Sequence, residues 1–243
     1  MIHYHGTPIS PKSVLLTLKG RHFCVSFAKK ADIRTVHEIG QSVMLDNGAF
    51  SAWTRNKVLD WNRYYAWCEK WMAPRTTWCV IPDVIDGSEE DNDALIAQWP
   101  HGHRGAPVWH LHESLERLEK LCAEWPRVCI GSSGQFRRVG SPAWHARMAE
   151  AMDRICVGGR VPTWLHLLRG MRMSGSIYPL ASVDSTDIGR NHHLPGRVAA
   201  DMAQRWDAMQ CGGTWPSPQV AMREPDGGDV GIDLVAREAP VLP

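Results

Sequence analysis

Short apolar segments recur along this chain and alternate with longer amphipathic segments. The apolar segments predict eight β-strands, near residues 2–5, 22–27, 42–46, 78–82, 107–111, 128–132, 163–168 and 179–184. The amphipathic segments predict α-helices near residues 30–38, 60–72, 88–98, 113–124, 142–155 and 196–210. Strands that alternate with helices are typical of a parallel sheet with right-handed crossovers. Eight such units predict an α/β fold, and specifically a compact (β/α)8 TIM-type barrel.

Local signals support several of the predicted helix starts. Asp60 and Ser141 are good N-cap residues, and proline follows Ser141 at the first helical position. Ser88 precedes three acidic residues, which favour a first helical turn because they complement the helix dipole. Two parts of the pattern are less regular. If the first strand were absent, an open doubly wound sheet would be the alternative, and residues 169–178 are short for a crossover helix.

Chain length and composition define the domain organisation. The 243 residues, of which 44% are hydrophobic, suit one barrel of this type. From Gly212 onward, glycine and proline recur often enough to break any helix. We therefore expect a single barrel domain over residues 1–211 and an extended Gly/Pro-rich C-terminal tail over residues 212–243 that packs on it.

Other features of the composition point to the cytoplasm of a bacterium or of a phage-infected host cell. No apolar run approaches the roughly 20 residues of a membrane span, so no membrane contact is expected. The first residues lack the basic and apolar regions of a signal peptide. The seven cysteines are scattered, odd in number and without Cys-x-x-Cys spacing, which favours reduced thiols over disulfides.

Two strings carry the candidate chemistry. Residues 43–50 and 180–187 each read as an apolar strand that ends in an aspartate, Asp46 in the first and Asp184 in the second. In parallel α/β proteins, ligands bind at the carboxyl ends of the strands. Two aspartates so placed can supply a nucleophile and a general acid/base.

These strings resemble the tRNA-guanine transglycosylase superfamily, and most closely its DpdA-type members in phages and bacteria, which insert 7-deazaguanines into DNA. Asp46-Asn47-Gly48-Ala49-Phe50 is similar to the family's Asp-Ser-Gly-Gly-Phe loop, and Asp184 takes the place of its nucleophile. Weaker similarities follow in the family's order at residues 81–83, 130–134 and 167–170. The resemblance covers residues 40–195, and it rests on order and spacing.

The resemblance implies a role for each matched residue. Asp184 would be the nucleophile and Asp46 the general acid/base in replacing guanine by a 7-deazaguanine such as 7-cyano-7-deazaguanine. Asp83 would bind the Watson–Crick edge of the purine. The rest of the implied base-binding site comprises Asn47, Gly48, Phe50, Gly131, Ser132, Ser133 and Gly170, with His110 or His112 where the family has glutamine.

DNA is the expected polymer and tRNA the less favoured one. The tRNA-modifying members hold zinc through a C-terminal cysteine cluster, whereas only Cys211 lies in that region here, so we expect neither a metal nor another cofactor. A net charge of +1 requires local basic patches for nucleic-acid binding. The candidates lie in three pairs: Arg137 and Arg138, Arg169 and Arg172, Arg190 and Arg197. Three tryptophans near strand ends, Trp53, Trp109 and Trp164, could stack on bases. A barrel this small could need helper proteins to open a duplex.

Each assignment has an alternative. The sequence after Asp46 could form only a turn, Asp184 could be an N-cap, and Asp83 could belong to a loop. Asp187, three residues beyond Asp184, is a competing nucleophile. His3-Tyr4-His5 and His110-Leu111-His112 suggest a metal-dependent amidohydrolase-like barrel as a second enzyme class. A non-catalytic nucleic-acid-binding barrel is a third possibility.

Overall fold

A computed structural model describes residues 1–216 of the chain. It contains nine short parallel strands, most of them separated by a helix. The strands are β1 (Ile2–Gly6), β2 (His22–Ser26), β3 (Ser42–Asp46), β4 (Thr77–Val80), β5 (Gly105–Ala106), β6 (Val108–His110), β7 (Arg127–Gly131), β8 (Trp164–Leu167) and β9 (Ser182–Ser185).

The strands form one sheet that curves into a nearly closed barrel. Its order is β5-β4-β3-β2-β1-β9-β8-β7-β6, so β5 and β6 lie at the two ends of the sheet. These two strands are separated along the chain by Pro107 alone. Proline has no N–H to donate to a ladder, and the fifth strand is accordingly divided: its first half pairs with β4 and its second half with β7. The (β/α)8 prediction is confirmed, and the open-sheet alternative is wrong.

Nine α-helices surround the barrel within the described residues. They are α1 (Lys12–Leu16), α2 (Ile33–Ile39), α3 (Ala49–Trp53), α4 (Trp61–Trp71), α5 (Glu89–Ala97), α6 (Leu115–Glu124), α7 (Pro142–Ile155), α8 (Asp187–Asn191) and α9 (Ala199–Ala208). The side chains of Asp60, Ser88 and Ser141 cap α4, α5 and α7, as expected from the sequence.

The sequence pattern missed three helices, α1, α3 and α8. Each has only five residues, too few for a periodic apolar face to be recognised. The connection between β8 and β9 contains a single 3-10 turn, Met171–Met173, instead of a crossover helix. The short 169–178 segment thus leaves one unit of the barrel without its α-helix.

Side chains alternate between the barrel interior and the helix layer, as the strand pleat requires. The even-numbered positions of β1–β4 and of β8 and β9 point inward, together with the odd-numbered positions of β7. They form an apolar interior cluster around Tyr4, Met44, Trp78 and Cys129. The opposite faces of the strands pack on the helices in two larger clusters. The carboxyl ends of all strands therefore open at one mouth of the barrel and their amino ends at the other.

At the start of the predicted tail, Trp215 is buried against the barrel, and its ring stacks on Tyr178 with a centroid separation of 5.6 Å. The rest of the predicted tail, 217–243, lies outside the described residues. All seven cysteines are free thiols, five of them buried. Among residues 1–216, no helix has both the length and the apolar character needed to cross a membrane.

Candidate active site

A narrow cleft of about 50 Å³ opens at the carboxyl-terminal mouth of the barrel. The structure brings both candidate catalytic aspartates to it, together with several of the predicted base-binding residues. Its lining consists of Asp46, Asn47, Ala49, Phe50, Val80, Asp83, Ile85, His110, Gly131, Ser132, Leu168, Arg169 and Asp184.

Asp184 is held through one of its two carboxylate oxygens. The backbone N–H of Arg169 donates to Oδ1 over 2.6 Å, and the His166 ring lies 3.3 Å from the same atom. Arg169 adopts a left-handed backbone conformation, with φ of 54°, which is costly for a residue with a side chain. This conformation aims its N–H at Asp184. Both contacts engage Oδ1, which leaves Oδ2 as the oxygen available to a ligand in the cleft.

His166 belongs to a hydrogen-bond chain inside the barrel. Trp164 Nε1 lies 2.7 Å from Ser182 Oγ, and Ser182 Oγ lies 2.8 Å from His166 Nδ1. An indole N–H can only donate, so the Ser182 hydroxyl accepts from Trp164. When Nε2 of His166 carries the ring proton, it donates to Asp184, and Nδ1 accepts from Ser182. Sequence reasoning missed His166. The signal that could have found it is a histidine in an apolar strand two residues after Trp164, and therefore on the same face of that strand.

Asp46 lies across the cleft at the end of β3. Burial raises the pKa of its carboxyl to about 6, and the negative charges of Asp184 and Asp83 act in the same direction. Hydrogen bonds from Ser26 and from the Gly48 backbone oppose this shift without cancelling it. A carboxyl group with a pKa near 6 can both donate and accept a proton close to neutral pH.

Asp83 is fixed between two buried neighbours. Asn47 Nδ2 donates to its Oδ1 over 2.6 Å, and His110 Nε2 lies 2.9 Å from its Oδ2. Asn47 also donates to the Ile81 carbonyl oxygen, so its amide bridges two strand ends. The three side chains form a rigid polar wall of the cleft. Each carboxylate oxygen of Asp83 keeps a second lone pair for a ligand.

The structure favours glycine at each of the three candidate glycine positions for a different reason. A Cβ atom on Gly131 would lie 2.6 Å from His110 Nδ1, so glycine permits the imidazole to reach Asp83. Gly48 has φ of +81° and allows the turn from Asp46 into α3. Gly170 lies outside the cleft lining, and a Cβ atom there would overlap the Leu167 side chain. For Gly170 the structure thus provides a packing role and no contact with a ligand site.

Ser132 lines the cleft, but its hydroxyl group is directed into the helix layer. It accepts from Trp144 Nε1 over 3.0 Å, so its backbone remains as the part that can contact a ligand. Ser133 and His112 do not line the cleft. They pair with each other over 2.7 Å, and His112 also contacts the Gly87 carbonyl oxygen. Of the two candidate histidines, the structure places His110 in the cleft.

Exposed aromatic rings and arginines form a rim at the cleft mouth, which consists of Phe50, Trp53, Arg137 and Arg169. The rings of Phe50 and Trp53 are 5.8 Å apart. The Arg169 guanidinium lies 3.6 Å from the Phe50 centroid, and that of Arg137 lies 5.8 Å from Trp53. Stacking rings beside cations are typical of surfaces that hold single-stranded nucleic acid.

The other candidate arginines are spread more widely. Arg138 follows the rim residue Arg137, and Arg172 is on the 3-10 turn after β8; both are exposed. Arg190 is exposed on α8, and Arg197 lies shortly before α9. These four residues lie outside the cleft lining, in segments that follow the carboxyl ends of β7, β8 and β9.

Two of the three candidate base-stacking tryptophans are in unsuitable places. Trp109 is fully buried in the helix-facing core, because its neighbours Val108 and His110 point the other way. Trp164 lies at the amino-terminal end of β8, the opposite mouth of the barrel. Only Trp53 lies at the cleft.

The alternative assignments also meet geometric obstacles. His3 and His5 point out of the barrel toward Asp207, each with a ring nitrogen 3.5 Å from it. Within residues 1–216, no group of three or more His, Cys, Asp or Glu side chains is arranged to hold a metal ion. Asp187 is turned away from the cleft, since its carboxylate binds Asn191 and Trp206.

Comparisons of this chain with protein-family models, with curated proteins and with solved structures found no match. The class defined by the fold is a parallel α/β barrel whose cleft lies at the carboxyl-terminal mouth. A fold of this kind hosts many chemistries, so function has to be argued from the cleft.

Proposed function

We propose that this protein is a nucleic-acid guanine transglycosylase that exchanges guanine for a 7-deazaguanine, with DNA preferred over tRNA. One observation carries the proposal: Asp46 and Asp184 line the same cleft in unlike settings. Asp184 is oriented by two contacts to one oxygen, whereas burial raises the pKa of Asp46 to about 6. Such a pair suits a fixed nucleophile and a proton donor and acceptor.

The exchange would proceed by two displacements at C1′ of the target nucleotide. Asp184 Oδ2 attacks C1′, the bond from C1′ to guanine breaks, and Asp46 supplies the proton that the departing base takes up. Asp46, now ionised, removes a proton from the incoming 7-deazaguanine. The nitrogen of that base attacks C1′ and releases Asp184. Two displacements on opposite faces return the original configuration.

The other cleft residues would bind the base. Asp83 and the backbone around Gly131 and Ser132 present acceptors and donors to a planar heterocycle. The rim residues Phe50 and Arg169 would hold the flanking nucleotides, since stacking on a ring is sequence-tolerant. The target nucleotide has to leave its stack to reach the cleft.

The test is a base-exchange assay on single-stranded DNA, double-stranded DNA and tRNA, each carrying radiolabelled guanine. The protein is incubated with 7-cyano-7-deazaguanine, free guanine is counted, and denaturing gels are used to detect a covalent adduct. Asp184→Asn should lower guanine release by about three orders of magnitude or more, because it removes the attacking oxygen. Asp187→Asn is the matched control, and its release should remain near that of the unchanged protein.

Two results would reject the proposal. One is guanine release that persists in Asp184→Asn. The other is no release and no adduct from any of the three polymers. In the second case, stoichiometric zinc in the purified protein would point to the hydrolase class, and polymer binding without chemistry would point to a binding barrel.

A further inference from the structure

A second and larger cavity opens at the amino-terminal mouth of the barrel, opposite the cleft. Its volume is about 450 Å³. Among the described residues its lining includes three arginines and two histidines, but neither an aspartate nor a glutamate. None of the residues assigned above to base exchange lines it. Its charge therefore calls for a separate explanation.

Arg127 is the central cation of this cavity. Its guanidinium lies 4.4 Å from the Trp78 ring centroid and 5.3 Å from that of Trp164, so it is held between two indoles. Its Nε is buried without a hydrogen-bond partner in the described part of the chain. A buried donor of a charged group that lacks an acceptor is costly. A bound acceptor would remove that cost.

The surrounding groups reinforce the positive charge. Arg104 reaches the cavity wall from the segment before β5, where its guanidinium binds the carbonyl oxygens of Pro74 and Thr77. Arg75 lines the same cavity and is exposed. The carboxylate of Asp207, close to His22, is already paired with Arg21. Among residues 1–216, no ion pair involves Arg75, Arg104 or Arg127.

Hydroxyl groups and rings supply further donors on the same wall. Ser42 donates to the Tyr4 hydroxyl over 3.2 Å and also contacts His22, so the donor left on this pair is the Tyr4 O–H. Guanidinium forks, hydroxyls and imidazoles are the groups that proteins use to bind oxyanions. Burial lowers the pKa of Arg127, because desolvation disfavours its cation, and an anion beside it would offset this effect.

We propose that the amino-terminal mouth is a binding site for a small oxyanion, a phosphate or carboxylate group carried by a metabolite-sized molecule. The Arg127 guanidinium is its primary contact, and Arg75 at the cavity edge adds a second charge. The site is independent of base exchange and would exist if the cleft performed another reaction.

The test is isothermal titration calorimetry of the whole protein at low ionic strength with three probes: inorganic phosphate, citrate and deoxyguanosine monophosphate. Arg127→Gln should weaken binding of the preferred probe about tenfold or more, because it removes a charged hydrogen-bond donor. Arg75→Gln, an exposed change that does not threaten folding, should weaken it several-fold. Arg34→Gln, an exposed arginine on α2, is the matched control and should bind like the unchanged protein.

The pattern across probes identifies the source of the anion. Tighter binding of phosphate and the nucleotide than of citrate assigns the site to phosphorylated ligands, and the reverse order assigns it to carboxylates. Circular dichroism checks that each variant is folded. If no probe binds, or if binding is unchanged in both Arg127→Gln and Arg75→Gln, the proposal is wrong. If Arg127→Gln does not fold, the comparison of Arg75→Gln with Arg34→Gln decides the question.

Discussion

Replacing Asp46 by asparagine should stabilise the protein, and the gain should depend on pH. Asparagine has nearly the same shape as a protonated aspartate, its side-chain oxygen can still accept from the Gly48 backbone, and its amide can still pair with the Ser26 hydroxyl. The change removes only the ability to ionise. It therefore isolates the free energy that the folded protein spends on keeping a partly buried carboxylate beside Asp184 and Asp83.

The magnitude follows from the pKa. Burial and neighbouring charges raise the pKa of Asp46 from 3.8 to about 6 in the folded protein. Ionisation is then about 3 kcal/mol more costly than in the unfolded chain. Only well below pH 4 is the carboxyl protonated in both states, and there nothing is lost. As the pH rises from about 4 to 6, the folded state binds more protons than the unfolded state, so the unfolding free energy falls.

The assay is urea-induced unfolding followed by circular dichroism at pH values from 4 to 8. Relative to the unchanged protein, Asp46→Asn should gain stability between pH 4 and 6 and reach a plateau of at most about 3 kcal/mol above pH 6. Asp201→Asn, at an exposed position on α9, is the control and should show little pH-dependent difference. A difference between Asp46→Asn and the unchanged protein that stays constant from pH 4 to 8 would refute the reasoning.

Three further predictions concern packing, proton transfer and thiols. Gly131→Ala should lower the unfolding free energy by about 1–3 kcal/mol, because the alanine Cβ would press on the His110 ring. Gly213→Ala, at a position with open space around it, is the control and should be nearly neutral in the same urea titration. If Asp46 protonates the departing base, covalent adduct formation in rapid-quench experiments should decline as the pH rises above about 6, and a rate that increases there would contradict this role. At pH 8 Ellman's reagent should react slowly with the folded protein, since five cysteines are buried and burial raises the pKa of Cys156 to about 11. After unfolding it should react with all seven thiols. Fast reaction of three or more thiols in the folded protein would show that the packing is misjudged.

The sequence allowed the barrel to be predicted because its signals are local. Apolar strands and capped helices such as α4 and α7 are encoded within a few neighbouring residues. The division of the fifth strand at Pro107 was not foreseen. The two halves of that strand differ only in the neighbouring strand with which each pairs, and the local sequence does not encode this difference. Five-residue helices such as α3 were missed for lack of a visible period.

The candidate site was predictable to a different degree. Asp46 and Asp184 were found because each ends an apolar strand. His166 was overlooked since its importance lies in the partner on the adjacent strand, which the sequence does not reveal. Trp109 and Trp164 were misjudged, although side-chain parity would have placed Trp109 outside the barrel. Whether a residue such as Ser132 offers its hydroxyl or its backbone depends on packing against Trp144, which no local pattern contains.

The hydrogen-bond chain from Trp164 to Asp184 spans much of the barrel interior, yet it cannot act as a proton wire. The chain begins at an indole N–H, which gives up no proton under physiological conditions. A proton that reached Asp184 could pass no farther than His166 and Ser182. The two mouths of the barrel are therefore insulated from each other with respect to protons along this route. The barrel interior therefore holds Asp184 in place without conducting protons to it from the opposite mouth.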